Sequence, residues 1–265
     1  MQASIGIAVQ ALTSISDVPA AAWNALLGPD DFYQSHEWLA VLERDNTAEP
    51  RYLLASLADQ LVGVLPVYQI GHEAAPAYSP ARLRHLLQLQ GSYLVAGARR
   101  CYRSEITVAR DLPAAMQDRV TAALVQEALA IAAEVGHRGV GCFYLPTPSL
   151  ERLGRVGAVT ACFDGAEAVI DGVGAGMDAY LARCSSKLRA KIRREMRAFA
   201  ATGWHTEVTP LADCLSEVAL LVSKVEQRHG HTTPDFLLKR LFRRQADQLQ
   251  HREAVLTCRN QHGDL

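Results

Sequence analysis

The sequence predicts a mixed α/β fold built from two related domains in tandem. Segments with the apolar spacing of a helix, such as residues 113–135, alternate along the chain with short apolar runs typical of strands, such as 139–145. The charge balance also changes part-way along the chain, and one helix–strand pattern occurs twice. The 265 residues, of which 49% are hydrophobic, are enough to bury one large core or two modest ones.

The charge balance places a domain boundary near residue 172. Residues 1–171 carry 12 basic and 18 acidic side chains, whereas residues 172–265 carry 15 basic and 10 acidic side chains. We therefore expect domains at 1–171 and 172–265, with the second facing an anionic partner. The glycine-rich segment 172–176 is interpreted as a hinge, because its spacing matches neither common phosphate-binding fingerprint.

A helix–strand pattern at residues 36–67 is repeated at residues 234–265. Each copy contains a helix, a short gap, an apolar strand and a polar turn. The first copy continues into the return strand VGVLPV, whereas the second reaches Leu265 where its return strand is expected. A half-hairpin with unpaired backbone groups is an unfavourable end for a domain, so we expect the second domain to be truncated.

Each element has a local reason in the sequence. Pro19 suits the first turn of a short helix, where its missing N–H costs little, and Gly63 marks a bulge or a close approach within a β-hairpin. The first domain is expected to contain strands at 4–12, 51–70, 83–96, 104–109, 139–145 and 159–170, and helices at 17–27, 35–44, 113–135 and 149–156. The second is expected to contain helices at 178–202, 211–229 and 234–249, and strands at 204–209 and 253–258.

Residues 178–202 are predicted to form one long basic amphipathic helix. Apolar residues recur at spacings of three and four, with Asp178 as a candidate N-cap and Gly203 as a stop signal. Residues 183–197 carry seven positive charges and one negative charge. Two interpretations stay open: a solvated charged face, or two basic rows that hold an anionic group.

Composition excludes several classes of protein. The six cysteines contain no CxxC pair, which argues against a zinc site and a disulfide framework, so we expect no metal. The first twenty residues lack the pattern of a signal peptide, and no uncharged apolar stretch is long enough to span a bilayer. We expect a cytoplasmic protein with a net charge of −1, which gives no case for DNA. Association with a membrane surface through the basic helix stays open.

Several segments resemble the GNAT-fold acyltransferases. The hairpin LADQLVGVLPVYQI is similar to the hairpin of that fold, and LARCSSKLRAKIRREMRAF with VEQRHGHTTPDFLLKRLF resembles the second domain of FemAB-like, double-GNAT proteins. The family signature is a basic run on a helix, carried here by Ser186, Lys187, Arg189, Ile192, Arg193 and Arg194. The resemblance covers most of the chain and implies a cytoplasmic, bacterial-type transferase with two GNAT-like domains.

The resemblance implies acyl-CoA as co-substrate, but the usual donor loop is not evident. GNAT enzymes that use acetyl-CoA carry a [Q/R]-x-x-G-x-[G/A] loop at a helix N-terminus, where backbone N–H groups bind the pyrophosphate. The segment Arg110-Asp-Leu-Pro113 departs from it, and the segment at 152–157 has the wrong spacing. We therefore expect the donor site to lie beyond Leu265.

Acyl transfer to an amine needs a base, and the candidates lie near one helix end. Glu226 or His229 could serve as that base, although a solvated polar loop is the simpler interpretation. Tyr33 and Trp38 are expected in the core. The residues expected to bind a phosphate-bearing or otherwise anionic substrate are Lys187, Arg189, Arg193, Arg194 and Arg228.

These observations lead to an N-acyltransferase that acts on an amine of a small molecule or of a cell-envelope or natural-product precursor. Two alternatives stay open. One is an aminoacyl-tRNA-dependent transferase of the FemAB-like type, for which tRNA would be a partner. The other is a non-catalytic GNAT-fold protein that binds an anionic polymer.

Overall fold

The computed structural model describes residues 6–29, 31–44, 47–71, 73, 76–166, 174, 176–230, 233–249, 252–260 and 262–263. The chain divides into two compact units, Met1–Asp164 and Gly165–Leu265. We call them unit 1 and unit 2. The predicted mixed α/β class is confirmed, because helices accompany a sheet that contains both antiparallel and parallel pairs. No helix in the described ranges has the length and apolarity needed to cross a bilayer.

Unit 1 contains a mixed sheet with helices on both faces. Its strands are β1 (Ile7–Leu12), β2 (Ala48–Leu57), β3 (Gln60–Ile70), β4 (Leu94–Ala96), β5 (Thr107–Val108) and β6 (Val140–Cys142). Its helices are α1 (Ala20–Asn24), α2 (His36–Glu43), α3 (Pro80–Leu87), α4 (Ala114–Glu134) and α5 (Thr147–Val156). The strands follow the order β1-β2-β3-β4-β6, and β5 pairs with β3.

The predicted hairpin forms β2 and β3, joined by a two-residue turn. Ala58 and Asp59 both have positive φ, of 49° and 64°, which matches the right-handed twist of the flanking strands. The predicted irregularity near Gly63 is confirmed, because the β2–β3 register shifts between Ala55 and Ser56. A Cβ atom at Gly63 would lie 2.5 Å from Val120 Cγ1 of α4, so the missing side chain lets α4 pack closely on the sheet.

A long interruption divides the strand that lies beside β3. Val67 pairs with Ala96 of β4, and Gly63 pairs with Val108 of β5, both antiparallel. Three residues lie between the two positions on β3, whereas eleven lie between them on the partner strand, so eight extra residues leave the sheet and return to it. We call residues 97–106 the excursion loop. β4 also pairs with β6 in parallel, whereas β5 pairs only with β3 among the described residues.

Two hydrophobic cores cover the two faces of the unit 1 sheet. On one face, Val120, Leu124 and Ala128 of α4 are fully buried against the central strands. On the other face, Trp23 of α1 and Leu39 of α2 are fully buried against strand residues that include the side chains of β2. The long helix predicted at 113–135 is thus the main helix that packs on one face of the sheet. This packing determines the position of the helix N-terminus.

Two predictions for unit 1 were wrong. Residues 83–96 were expected to form a strand, but α3 occupies the first part, because Ser79 caps a helix whose first residue is Pro80. The Ser79 hydroxyl accepts a hydrogen bond from Ala81 N at 3.3 Å. Residues 159–166 contain no strand, and 167–170, which belong to the same expected strand, lie outside the described residues. Most of the expected hinge at 172–176 also lies outside them.

Unit 2 contains helices α6 (Gly176–Arg183), α7 (Ser186–Ala200), α8 (Leu215–Arg228) and α9 (Asp235–Leu249), and strands β7 (His205–Thr209) and β8 (Val255–Arg259). β7 and β8 are antiparallel. Arg259 donates hydrogen bonds to Glu207 of β7 and Glu217 of α8, at 2.7 and 3.0 Å, and so ties both strands to that helix. The order β7, α8, α9, β8 repeats the order β1, α1, α2, β2 of unit 1, in which the outer strands are likewise antiparallel.

The single helix expected at 178–202 is two helices. α6 ends at Arg183, and Ser185 takes an extended conformation, with φ −58° and ψ 154°, before α7 begins. The Ser185 hydroxyl accepts a hydrogen bond from Leu188 N at 3.3 Å, so Ser185 is an N-cap rather than a residue inside a helix. The apolar periodicity continues across the break, which is why the pattern alone predicts one helix.

Candidate functional site

The basic residues predicted to bind an anion lie on α7. Lys187, Arg193 and Arg194 are exposed, and no residue of α7 is buried. Arg189 differs because it is half-buried and donates a hydrogen bond through Nη2 to the carbonyl oxygen of Cys184 at 3.0 Å. That carbonyl lies at the break between α6 and α7. Arg189 therefore stabilises the break, and the other three carry charge at the surface.

The predicted base candidates lie at the C-terminal end of α8. Glu226 is half-buried, and its Oε2 atom is buried without a hydrogen-bond partner among the described residues. Arg228 and His229 are exposed, and the backbone N–H of His229 donates to the Glu226 carbonyl at 2.9 Å. The structure shows no side-chain hydrogen bond among these three. Their catalytic and binding roles stay predictions.

Buried polar groups gather in unit 1 where the strand interruption ends. Thr107 of β5 donates a hydrogen bond through Oγ1 to Gln34 Oε1 at 3.0 Å, and both residues are buried. The Gln34 carbonyl in turn accepts a hydrogen bond from the indole N–H of Trp23 at 2.8 Å. These contacts fix the segment between α1 and α2 against β5. We call this place the split-strand site.

Asp31 supplies a buried carboxylate at the split-strand site. Its Oδ2 atom accepts hydrogen bonds from Gly28 N at 2.7 Å and from Arg110 Nη2 at 2.9 Å. Its Oδ1 atom is buried and has no hydrogen-bond partner among the described residues. Only 6% of Asp31 is exposed. A buried carboxylate oxygen without a partner is costly in free energy, so Asp31 Oδ1 is a candidate contact for a donor group of a ligand.

The N-terminus of α4 begins at Ala114, four residues after Arg110. The side chain of Arg110 is 63% exposed although it pairs with Asp31. Ala114 and Ala115 begin α4 and are exposed, and the first N–H groups of a helix have no partner within it. Gln117 holds the preceding turn by donating to the Leu112 carbonyl at 2.8 Å. A guanidinium beside exposed helix N–H groups suits a phosphate.

Aromatic side chains adjoin the split-strand site. The ring of Tyr33 packs on those of Phe32 and Trp38, with centroids 5.4 and 5.2 Å away. Tyr33 was expected in the core, but it is 44% exposed, and Trp38 is only partly buried. The indole N–H of Trp38 donates to the carbonyl of Arg99 in the excursion loop at 3.5 Å. The aromatic cluster therefore connects the α1–α2 segment to that loop.

A buried ion pair holds the excursion loop. Arg99 donates through Nη2 to Glu73 Oε2 at 2.8 Å and to Thr47 Oγ1 at 2.7 Å, and both charged side chains are almost fully buried. At the other end of the loop, Ser104 is fully buried, and its N–H donates to the Tyr144 carbonyl at 3.1 Å. The excursion loop is thus anchored at both ends. Val108 of β5, which follows the loop, has one strand edge that pairs with no described strand.

Sequence reasoning missed Asp31 and set Arg110 aside. The segment Arg110 to Ala115 matches the donor-loop pattern at its first position, with Arg110, and at its last, with Ala115. Pro113 occupies the position where the pattern has glycine. The structure places it between a strand and a helix, which is the context that the pattern requires. Asp31 gives no signal in the sequence, because an aspartate in the run Gly-Pro-Asp-Asp is typical of a turn.

Among the described residues, no group of three histidine, cysteine or acidic side chains could hold a metal ion.

No protein-family model and no curated protein matches the chain. Among solved structures, the chain is similar to a ribosomal-protein-alanine N-acetyltransferase from Brucella melitensis biovar Abortus 2308. The match has 18% sequence identity and a TM-score of 0.36, and it covers 63% of this chain and 100% of that one.

Proposed function

We propose that this protein is an N-acyltransferase of GNAT-like fold that takes its acyl group from acyl-CoA and passes it to an amine. The observation that carries the proposal is the outer edge of β5, which pairs with no described strand although Val108 is only 5% exposed, and which lies shortly before the N-terminus of α4 in the chain. A strand edge offers backbone N–H and C=O groups to an extended ligand that contains amides, and the helix N-terminus offers N–H groups to phosphates. Acyl-CoA combines both chemical groups in one molecule.

Each part of the split-strand site has a role in this proposal. Val108 would pair with the amide-bearing arm of the donor, and Ala114 and Ala115 would donate to its phosphates. Arg110 would contribute positive charge there while it keeps Asp31 in place. Pro113 fits less well than glycine, because it lacks an N–H group to donate. The residues therefore fit an acyl-CoA, with one backbone N–H hydrogen-bond donor fewer than the usual loop provides.

Amide formation releases a proton from the attacking amine, and the leaving thiolate takes up a proton as the thioester breaks. In our proposal Asp31 Oδ1 accepts the first proton; the support is that this oxygen has no hydrogen-bond partner among the described residues. Glu226, whose buried Oε2 also lacks a hydrogen-bond partner in the described part of the chain, is the alternative base. Replacing the true base by its amide should lower kcat far more than it raises KM, and should flatten the acid limb of the pH–rate profile.

Calorimetric titration with CoA and acetyl-CoA tests the proposal. Ala115→Asp places a negative charge at the first turn of α4 and should abolish saturable binding. Ala130→Asp, on an exposed position of the same helix, is the matched control and should bind as the unaltered protein does. Pro113→Gly should bind CoA more tightly, because it restores an N–H donor and lets the backbone approach the phosphates.

Failure of the unaltered protein to bind CoA would overturn the donor site at β5 and α4. In that case, tRNA binding that weakens steeply with salt would favour an aminoacyl-tRNA donor or a polymer-binding protein. The acceptor stays a proposal as well: we propose that Lys187, Arg193, Arg194 and Arg228 attract an anionic acceptor or the carrier that presents it.

A further inference from the structure

The exposed face of α7 contains a continuous apolar stripe. Leu188, Met196 and Phe199 are 42%, 46% and 41% exposed, and Ile192 is half-buried. Their spacings of four, four and three place them within an arc of about 80° on the helix surface. Such a stripe usually faces a protein core, yet here large parts of three side chains remain open to solvent. Trp204, shortly after the helix, is 38% exposed.

Cations border this stripe on both sides. Lys191 and Lys187 lie on one side of it and Arg193 on the other, beyond Arg189, whose guanidinium donates to the Cys184 carbonyl at the helix break. Glu195 is the acidic residue of α7, and its carboxylate pairs with Lys191 at 3.8 Å, with both side chains 60% exposed. The six basic residues of α7 therefore leave a large positive surplus around an apolar strip.

We propose that α7 lies on the surface of a bilayer that contains anionic lipids. The apolar stripe would enter the boundary between headgroups and acyl chains, and the flanking Lys and Arg side chains would reach the lipid phosphates. This arrangement complements both the charge and the apolarity of the helix. A nucleic acid would satisfy only the charge, because Leu188, Met196 and Phe199 would stay hydrated against a phosphate backbone. Trp204 suits the interfacial region, where aromatic side chains concentrate.

Sedimentation with lipid vesicles tests this proposal independently of any acyl transfer. The protein should sediment with vesicles of phosphatidylcholine and phosphatidylglycerol, and much less with phosphatidylcholine alone. Added salt should weaken the binding but not abolish it, because part of the attraction is apolar. The fluorescence of Trp204 should shift to shorter wavelength on anionic vesicles, and Trp204→Phe should remove that shift.

Two variants separate the apolar and the charged contributions. Met196→Asp with Phe199→Asp should weaken binding to anionic vesicles at least roughly tenfold, because it places carboxylates in the stripe. Lys187→Glu with Arg193→Glu should also cost at least roughly tenfold, since each cation near an anionic surface contributes to binding. All four positions are exposed, so circular dichroism should stay unchanged.

Matched controls come from other helices of unit 2. Leu220→Asp on α8 and Arg240→Glu on α9 alter exposed apolar and basic residues away from α7, and both should bind vesicles normally. The proposal fails if the protein ignores anionic vesicles, or if the controls lose as much binding as the α7 variants. It also fails if the Met196→Asp, Phe199→Asp protein binds anionic vesicles as tightly as the unaltered protein does. If the unaltered protein also binds tRNA, and this variant keeps its affinity for both tRNA and vesicles, charge alone explains the binding and the apolar stripe has no role.

Discussion

Replacing Gly63 by alanine probes the contact between the unit 1 sheet and α4. The new methyl group would lie 2.5 Å from Val120 Cγ1 and 3.2 Å from Leu124 Cδ1, both of which belong to fully buried residues. The first distance is well below a van der Waals contact, so α4 or the Val120 side chain must move. Overpacking of this kind costs about 1–3 kcal/mol of unfolding free energy.

The same contact predicts that two substitutions compensate each other. Val120→Ala alone removes two buried methyl groups, at about 0.8 kcal/mol each, and leaves a void, for a loss of about 2–3 kcal/mol. In the double variant, the methyl group at position 63 occupies part of that void. We therefore expect the double variant to lose about 1–2 kcal/mol less than the sum of the two single losses.

Urea unfolding followed by tryptophan fluorescence measures these losses. Trp23 and Trp38 lie in unit 1 and Trp204 lies in unit 2, so a Trp204→Phe background reports unit 1 alone. Ala130→Gly, on an exposed part of α4, controls for a change in the helix that does not touch the sheet. Strict additivity of the two substitutions, or a neutral Gly63→Ala, would refute the close approach of α4 at this glycine.

Three further predictions concern a buried ion pair, a helix N-cap and two cysteines. Glu73→Gln should cost unit 1 about 3–5 kcal/mol in the same urea assay, because it leaves the buried Arg99 charge without its carboxylate. Ser185→Ala should cost about 1 kcal/mol in unit 2, read by Trp204, because it removes the N-cap of α7, whereas Ser185→Asp should restore it. Native alkylation at pH 8 should label the exposed Cys162 rapidly and spare Cys101, whose pKa burial raises to about 11; equal labelling would contradict its burial.

Regular elements of the fold were predictable where one local pattern dominates. The 21 residues of α4 follow from helical spacing, and the β2–β3 hairpin follows from a short gap between two apolar runs. The break at Ser185 was not predictable from periodicity, because the apolar spacing of α6 and α7 stays nearly in phase across it. Only the capping hydrogen bond to Leu188 N distinguishes two helices from one.

The candidate site was less predictable than the fold, because its parts come from distant segments. Gln34 and Thr107 are 73 residues apart, and Asp31 and Arg110 are 79 apart, yet each pair is joined by a hydrogen bond. No spacing rule connects such residues. The sequence instead favours local clusters such as Glu226 and His229, whose proximity along the chain leads to no side-chain hydrogen bond in the structure.

The excursion loop contains both buried anchors and exposed positions. Most of its residues are buried, and Ile106 belongs to the same core as Val120 of α4, so these positions are constrained by packing. Tyr102 and Arg103 are exposed, so the surface of the loop can change there without changing the core contacts of α4. A library that randomises the exposed positions 102 and 103, and keeps the buried anchors Arg99 and Ser104, would alter the surface beside the split-strand site at little cost to folding.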